Sequence, residues 1–368
     1  MERNKNLSTF NSDISMQKFI IKSTCFVLPF FIAYIFSYYF VSLDKGDLLR
    51  IGAIADNTNT YRNIFSKEFT KKIKYINFSD LEVDAINEFT ILTIGDSFSQ
   101  QKEYGYQNYL ANDPSIKVLH YDKSEDAIQA IYNIMNGNIL EKISVKYILI
   151  QSVERSIVRR MQNIDRGNKL NIEDFFKKKN SMERNVRQFF SAPVLNSFLN
   201  LLYPFDDNGF FSKVYIAKTS KKLFSIDRKN LLFYYEDLDA LNLNNNKLLV
   251  SNLNIELNNI AINLKKRNIQ LIVLPSPDKY DAYYESIINK EKYIKPLFFN
   301  YMDKQRKNYH YVDSKNILND YIYKKNQKDV YFYDDTHWSP IASQLISNEI
   351  RKILFLNKSR LNLQKVHE

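Results

Sequence analysis

Two short segments, far apart in the chain, carry residue types that could act together as a nucleophilic site. Ser97 ends a Gly-Asp-Ser sequence that follows an apolar run, and His337 ends an Asp-Thr-His sequence near the end of the chain. A serine hydroxyl attacks a carbonyl well only when an imidazole takes its proton, and the imidazole needs a carboxylate on its other nitrogen. The two segments therefore predict a Ser-His-Asp triad for acyl chemistry.

Two aspartates precede the histidine, and either is a candidate third member of the triad. Asp335 lies two residues before His337 and Asp334 lies three before it. Either carboxylate could reach the imidazole ring in a turn that precedes a helix. An Asp-His pair also occurs as half of a metal site or as a helix N-cap beside an incidental histidine. The sequence offers no third and fourth metal ligand, so we predict neither a metal nor another cofactor.

The residues before the serine indicate where its hydroxyl lies. A nucleophilic serine is typically exposed at a strand end, where backbone N–H groups can stabilise an oxyanion. We expect Gly95 to allow a sharp turn and the backbone N–H of Ser97 to be an oxyanion donor. The tripeptide alone is more typical of a helix N-cap, so the prediction of catalysis depends on the histidine far downstream.

The chain around these segments alternates between short β-branched runs and helically spaced apolar residues. Such alternation predicts βαβ units, and hence an α/β fold with a parallel sheet flanked by helices in three layers. The predicted strands are Phe89–Ile94, Ile116–Tyr121, Val145–Val153, Ile269–Leu274 and Tyr309–Val312. The predicted helices are Tyr104–Asn112, Ala127–Met135, Leu248–Leu264 and one that begins at Pro340 and runs to about Leu354.

A basic and aromatic stretch, residues 156–240, interrupts this alternation. We predict that it is a helical insertion between two strands of the sheet. Loops at the carboxyl ends of parallel strands bind ligands in such folds, so the insertion is a candidate substrate-binding surface. A helical packing subdomain is the equal alternative.

The N-terminal region contains one uncharged apolar segment, Ser23–Leu43. It has the length of a bilayer-spanning helix, and lysines and arginines precede it. We predict an uncleaved transmembrane anchor with residues 1–22 in the cytoplasm; a cleaved signal peptide is the alternative. Residues 44–87 would form a stalk and packing segment, and residues 88–358 a single extracytoplasmic domain.

Composition excludes several other classes of protein. The 368-residue chain has a net charge of +11, but its basic residues are spread along it and no nucleic-acid-binding motif is present. The single cysteine, Cys25, excludes an internal disulfide and a CxxC site. We interpret the positive charge mainly as solvated surface, and a polyanionic or membrane-proximal substrate is the weaker alternative.

Gly-Asp-Ser after the first strand, with Asp-x-His before the final helix, resembles the SGNH/GDSL hydrolase superfamily. The residues that carry the closer resemblance are Gly95–Ser99, Pro275–Tyr280 and Asp335–Pro340. They are similar to the membrane-anchored branch of polysaccharide and peptidoglycan O-acetyltransferases and esterases, such as the alginate O-acetylation enzymes. The resemblance covers residues 88–155 and 245–355. The Asp-x-His-Trp pattern of this branch implies Asp335 as the third member of the triad, and the Asp-x-x-His spacing of many superfamily members keeps Asp334 as the alternative.

This resemblance implies a serine O-acyltransferase of the inner or plasma membrane that moves acetyl to a cell-surface polysaccharide or cell-wall glycan. A polytopic membrane acyltransferase would supply the acetyl group, and no cofactor is implied. Two alternatives stay open: a carbohydrate O-acetylesterase with the same triad, and a non-catalytic polysaccharide-binding or scaffold subunit.

The sequence departs from the superfamily pattern after the third strand, where a Gly-x-Asn block normally supplies an oxyanion donor. Here the chain has Gln151 and Ser152, which are candidate donors, and then Arg155, a candidate substrate ligand. The block after the second strand also lacks its glycine. Trp338, the single tryptophan, is expected to wall the site or to stack on a sugar.

Overall fold

The computed structural model describes residues 16–32, 35, 46–52, 54, 58–69, 72–81, 87–123, 126–173, 203, 205–209 and 212–364. Its centre is a six-stranded parallel sheet in the order β1-β3-β2-β4-β7-β8, and β5 and β6 form a separate antiparallel pair. The strands are β1 Ile76–Asn77, β2 Asn87–Ile94, β3 Val118–Tyr121, β4 Ile143–Val153, β5 Val214–Lys218, β6 Asn230–Tyr234, β7 Gln270–Ser276 and β8 His310–Tyr311. All five predicted strands are confirmed in this sheet.

Helices cover both faces of the sheet. Alternate residues of a strand point to opposite faces, so Ile91 and Ile272 pack in one core with Ile346 of the last helix, while Leu92 and Val273 pack in a second core. Because both faces are buried, the central strands are largely apolar. The predicted α/β arrangement, a mostly parallel sheet flanked by helices, is therefore confirmed.

The helices follow the predicted alternation with the strands. Their bounds are α1 residues 16–32, α2 Asp47–Ile51, α3 Asn59–Phe69, α4 Tyr106–Leu110, α5 Ala127–Asn136, α6 Ile139–Lys142, α7 Glu154–Gln162, α8 Tyr235–Asp239, α9 Leu241–Asn244, α10 Lys247–Lys265, α11 Lys279–Tyr283, α12 Phe298–Asp303, α13 Ser314–Asn319 and α14 Pro340–Gln364. The helix predicted at Tyr104–Asn112 is shorter than expected, because Gly105 is its N-cap.

The prediction of a helical insertion is wrong for part of residues 156–240. Strands β5 and β6 form a hairpin in which Val214 lies opposite Tyr234 and Lys218 opposite Asn230. The aromatic and β-branched residues of these segments favour strands over helices. Phe233 anchors the hairpin to the domain, since its ring centroid lies 5.0 Å from that of Tyr280. Helix occurs at the two ends of the insertion, in α7 and α8.

Helix α1 exposes apolar side chains. Phe19 is 70% exposed and Phe26 is 71% exposed. Among the helices of the described residues, none is both long enough and apolar enough to cross a membrane. The predicted anchor Ser23–Leu43 lies partly outside the described residues.

Candidate active site

The predicted nucleophile lies where strand β2 ends, at the carboxyl edge of the sheet. Asp96 caps the 3₁₀ turn Ser97–Ser99 by accepting a hydrogen bond from the Phe98 N–H at 3.1 Å. Its other oxygen accepts from the Val153 N–H at 2.8 Å and from Arg160 Nη1 at 2.6 Å. Burial raises the pKa of Asp96, but the Arg160 charge and these hydrogen bonds outweigh burial and hold the pKa below its ordinary value. Ionised Asp96 therefore stabilises the turn, and Ser97 is exposed.

Gly95 is required by space and not by backbone angle. Gly209 is the only glycine of the described residues with a positive φ, so a left-handed backbone is not what requires glycine at position 95. A Cβ at position 95 would lie 2.0 Å from Ser99 Oγ and 2.5 Å from Gln151 Oε1. Glycine is needed because the neighbouring strand and turn approach its backbone this closely.

Gln151 ties three strand ends together below the turn. Its side chain is fully buried, and Oε1 accepts from the Asp96 N–H at 3.0 Å and from Ser99 Oγ at 2.8 Å. Its Nε2 donates to Ser276 Oγ at 3.0 Å. Both ends of the amide are thus engaged in the scaffold, which does not favour the predicted role of Gln151 as an oxyanion donor.

Ser97, His337 and Asp335 form one hydrogen-bonded series. His337 Nε2 is 2.8 Å from Ser97 Oγ, and His337 Nδ1 is 2.6 Å from Asp335 Oδ1. The His337 backbone N–H also donates to Asp335 Oδ1, at 3.1 Å. One carboxylate thus orients both the ring and its backbone, and Nε2 is free to take the serine proton.

The pKa values of this pair suit a base that is held by an ionised carboxylate. Burial raises the pKa of Asp335, but the hydrogen bonds and charge of His337 and the charge of Arg62 outweigh burial and lower it. Burial lowers the pKa of His337, whereas the hydrogen bond and charge of Asp335 and the charge of Asp47 outweigh burial and raise it. Asp335 therefore stabilises an imidazolium at His337.

The part of the chain that contains His337 matches a known protein family. Residues 230–364 match the family described as SGNH hydrolase-like domain, acetyltransferase AlgX. The predicted resemblance is confirmed for this AlgX-like segment, which contains Asp335 and His337, whereas Ser97 precedes it. No curated protein and no solved structure matches the chain at a significant level.

Within the AlgX-like segment, the alternative triad member Asp334 binds other partners. Its side chain is fully buried, and Oδ2 accepts from Thr58 Oγ1 at 2.6 Å and from Arg62 Nε at 3.1 Å. Arg62 Nη2 is 2.6 Å from Asp334 Oδ1 and 3.0 Å from Asp335 Oδ2. The geometry favours Asp335 as the partner of His337, and Asp334 joins the loop to an earlier part of the chain.

Residues 333–337, here called the acid loop, are held from one side by the described residues of the segment 46–69 (46–52, 54 and 58–69), here called the N-terminal strap. Asp47 Oδ1 accepts from the Thr336 N–H at 2.7 Å, and Asp47 Oδ2 accepts from Thr336 Oγ1 at 2.5 Å. Asp47 Oδ2 also lies 3.7 Å from His337 Nδ1. We predicted residues 44–87 as a stalk and packing segment, and the described residues of the strap pack directly against the site.

Sequence analysis missed Asp47 and Arg62 because no motif marks them. The one available signal is the spacing of Tyr61, Phe65 and Phe69, which indicates a packed helix face. That face does pack: the Phe65 ring centroid lies 5.0 Å from that of Phe332, next to the acid loop. The spacing predicts packing but does not show what the helix contacts.

Lys279 holds the acid loop from the interior. The lysine is fully buried, and its Nζ donates to the carbonyl oxygens of Tyr333 at 2.6 Å and of Asp335 at 3.1 Å. Burial lowers the pKa of Lys279 to about 7, against the opposing charges of Asp334, Asp335 and Asp47. The loop is therefore clamped between the strap and a buried amine.

Two further predicted site residues are engaged in buried networks. Ser152 Oγ accepts a hydrogen bond from Arg160 Nη1 at 2.6 Å. Arg155 Nη1 lies 2.7 Å from Asp278 Oδ1 and 3.1 Å from Asp237 Oδ1, and its side chain is 11% exposed. These contacts favour structural roles for both residues over donation to an oxyanion or to a substrate.

Trp338 is fully buried, and its ring centroid lies 5.1 Å from that of Phe98, edge to face. Phe98 in turn packs at 4.9 Å from the His337 ring. A ring without exposed surface cannot stack on a sugar, so that part of the expectation for Trp338 is wrong. The tryptophan supports the floor of the site through Phe98.

The backbone N–H of Ser97 is available for the oxyanion role that the sequence predicts. No acceptor for it lies among the described residues, whereas the next N–H, of Phe98, is used by Asp96.

Metal binding is less well supported. Asp47, Asp335 and His337 offer three ligand atoms within 4.8 Å of one another, but Thr336 and Arg62 already engage the two carboxylates. Because the two ring nitrogens of His337 contact Asp335 and Ser97, the geometry favours proton transfer from Ser97 to His337 over metal binding.

Proposed function

We propose that the chain is a membrane-anchored serine O-acyltransferase that moves an acetyl group to a cell-surface polysaccharide or cell-wall glycan. The observation that supports it most is the hydrogen-bonded series from exposed Ser97 through His337 to Asp335. The match of residues 230–364 to an acetyltransferase domain supports acetyl as the group that moves.

In the proposed reaction, Ser97 Oγ attacks the carbonyl carbon of an acetyl donor while its proton passes to His337 Nε2. The oxyanion accepts a hydrogen bond from the Ser97 N–H. The intermediate collapses as His337 returns the proton to the leaving oxygen, and acetyl stays on the serine. A sugar hydroxyl then attacks the acetyl-enzyme and gives its proton to His337, which returns it to Ser97 Oγ. Asp335 stabilises the imidazolium in both halves.

The proposed setting is the outer face of the inner or plasma membrane. The exposed apolar side chains of helix α1 support an anchor that continues through Leu43, with the N-terminus in the cytoplasm. A polytopic membrane acyltransferase would bring acetyl groups across the bilayer. The net charge of +11 suits an anionic glycan as acceptor.

The first test is turnover of a chromogenic acetyl ester by the full chain and by Ser97→Ala. Loss of a triad nucleophile lowers kcat by roughly 10³-fold or more. Ser115→Ala, an exposed serine in the loop before β3, is the matched control and should keep full activity. Equal activity in the wild type and Ser97→Ala would contradict the proposal.

The second test separates transfer from hydrolysis. A polysaccharide acceptor is added, and acetyl is measured both on the glycan and as free acetate. Acetyl on the glycan that depends on Ser97 supports the transferase. Free acetate alone would favour the O-acetylesterase, for which the exposure of Ser97 to water is the supporting observation.

A further inference from the structure

His337 has a second carboxylate near its inner nitrogen. Asp335 Oδ1 lies 2.6 Å from Nδ1, and Asp47 Oδ2 lies 3.7 Å from the same atom. The two carboxylates come from opposite ends of the chain. Asp335 belongs to the acid loop itself, whereas Asp47 belongs to the strap and begins helix α2.

Asp47 is fixed in this place by Thr336. Both of its oxygens accept hydrogen bonds from that one residue, Oδ1 from the backbone N–H at 2.7 Å and Oδ2 from the hydroxyl at 2.5 Å. Thr336 lies between Asp335 and His337 in the chain, so a carboxylate bound to both its N–H and its hydroxyl restrains the loop segment that sets the distance from Asp335 to the imidazole.

Charge also places Asp47 in the same group. The charged side chains that act on Asp47 are Asp335, His337 and Lys279, and those that act on His337 are Asp335, Asp47 and Arg155. Arg62 and Asp334 act on the neighbouring groups, Arg62 on Asp335 and both of them on Lys279. Arg62 already pairs with both Asp334 and Asp335. Among the described residues, Asp47 is the carboxylate of this group that makes no ion pair with the arginine, and its charge adds to that of Asp335 in balancing a protonated imidazole.

We propose that Asp47 is a positioning residue for the triad: through Thr336 it holds the acid loop, and its charge stabilises the imidazolium that forms when Ser97 is deprotonated. This inference deepens the proposed function and rests on it for the identity of the reaction. It makes the strap, next to the predicted anchor, a part of the active site. Burial and the charge of Asp335 raise the pKa of Asp47 to about 6, so this stabilisation is present above that pH.

The test is the pH profile of kcat/KM for a chromogenic acetyl ester with the full chain and Asp47→Asn. An opposite charge within this distance shifts a pKa by about one to three units. In Asp47→Asn the pKa of His337 falls, so the acid limb of the profile should move down by about one pH unit, and kcat at the plateau should fall by about tenfold with KM nearly unchanged. A loss of packing alone would lower activity without moving the limb.

Three comparisons keep the inference open to refutation. Asp47→Asn retains an oxygen for the Thr336 N–H, and Asp47→Glu retains the charge, so Asp47→Glu should leave the acid limb at the wild-type pH. Asp320→Asn removes an exposed carboxylate that pairs with Lys324, and should change neither limb nor kcat. An acid limb that stays in place in Asp47→Asn, or one that moves equally in Asp47→Glu, would overturn the role of the charge.

A second readout separates this inference from the proposed function. The imidazole of His337 is titrated by NMR in the full chain, with His337→Gln used to assign its signal, and the pKa is compared between the wild type and Asp47→Asn. A fall of about one unit supports the inference even if the wild type has no esterase or transferase activity. An unchanged pKa would overturn it even if Ser97 proves to be the nucleophile.

Discussion

Replacement of Lys279 by methionine tests whether the acid loop depends on a buried amine. Methionine has a similar length and no donor, so Lys279→Met leaves the carbonyl oxygens of Tyr333 and Asp335 without the hydrogen bonds that the structure gives them. An unsatisfied buried polar group costs about 1–3 kcal/mol. The same substitution removes a fully buried amine, whose charged form is disfavoured by burial. The two effects oppose each other, and pH separates them.

The pH dependence follows from the depressed pKa. The pKa of Lys279 is lowered from 10.5 to about 7 in the folded protein. Between these two values the unfolded chain binds this proton and the folded protein does not, so folding becomes more favourable as pH rises, by about 1.4 kcal/mol per pH unit. This gain in the free energy of unfolding is complete above the unfolded pKa of 10.5, and it has been lost once the pH falls through the folded pKa of about 7. Lys279→Met lacks this contribution at every pH.

The assay is urea unfolding of the wild type and Lys279→Met at about pH 7.5 and about pH 9.5. The stability of the wild type relative to the variant should rise by roughly 2–3 kcal/mol across that interval. Lys324→Met, an exposed lysine paired with Asp320, is the matched control and should give a constant difference. If Lys279→Met also keeps a constant difference from the wild type, the lysine titrates normally in the folded protein and the reasoning is refuted.

Two further predictions concern the triad and its turn. Asp335→Asn should lower kcat by about 10³–10⁴-fold with little loss of stability, because the amide favours the wrong imidazole tautomer. Asp334→Asn should instead lower the midpoint of urea unfolding, because it weakens the buried ion pair with Arg62. If Asp334→Asn lost more kcat than Asp335→Asn, Asp334 would be the triad carboxylate. Gly95→Ala places a Cβ 2.0 Å from Ser99 Oγ, so it should destabilise the fold by about 1–3 kcal/mol, measured by thermal unfolding; a variant as stable as the wild type would contradict the close approach.

The serine and histidine could be predicted because their surroundings are local. Ser97 follows a strand that its β-branched residues make recognisable, and His337 precedes a helix that Pro340 opens. The parallel sheet then brings the end of β2 to the same edge as the ends of β4 and β7. The motif favours Asp335 over Asp334, but it cannot show the physical reason, which is that Thr58 and Arg62 bind the Asp334 side chain away from the imidazole ring.

The strap and the buried lysine could not be predicted for a different reason. Asp47 and Thr336 are 289 positions apart, and Arg62 and Asp335 are 273 apart. Neither pair leaves a pattern in one sequence, because each needs only a single polar residue at a position that tertiary packing selects. Lys279 was within a quoted motif, but a lysine after a strand end is ordinarily a solvated residue, and only the packed fold shows that it is buried.

The charges around His337 explain why both holders of the acid loop are needed. Between about pH 6 and about pH 7, where Asp47 is ionised and Lys279 is protonated, Asp47, Asp334 and Asp335 contribute three negative charges, and Arg62 and Lys279 contribute two positive ones. With a neutral imidazole the group carries one net negative charge, and the imidazolium formed during attack by Ser97 neutralises it. Without Asp47 the same step would create a net positive charge in a largely buried site, which is unfavourable. The strap therefore does more than hold the loop. The carboxylate of Asp47 keeps the site from gaining a net positive charge when the proton of Ser97 moves to His337.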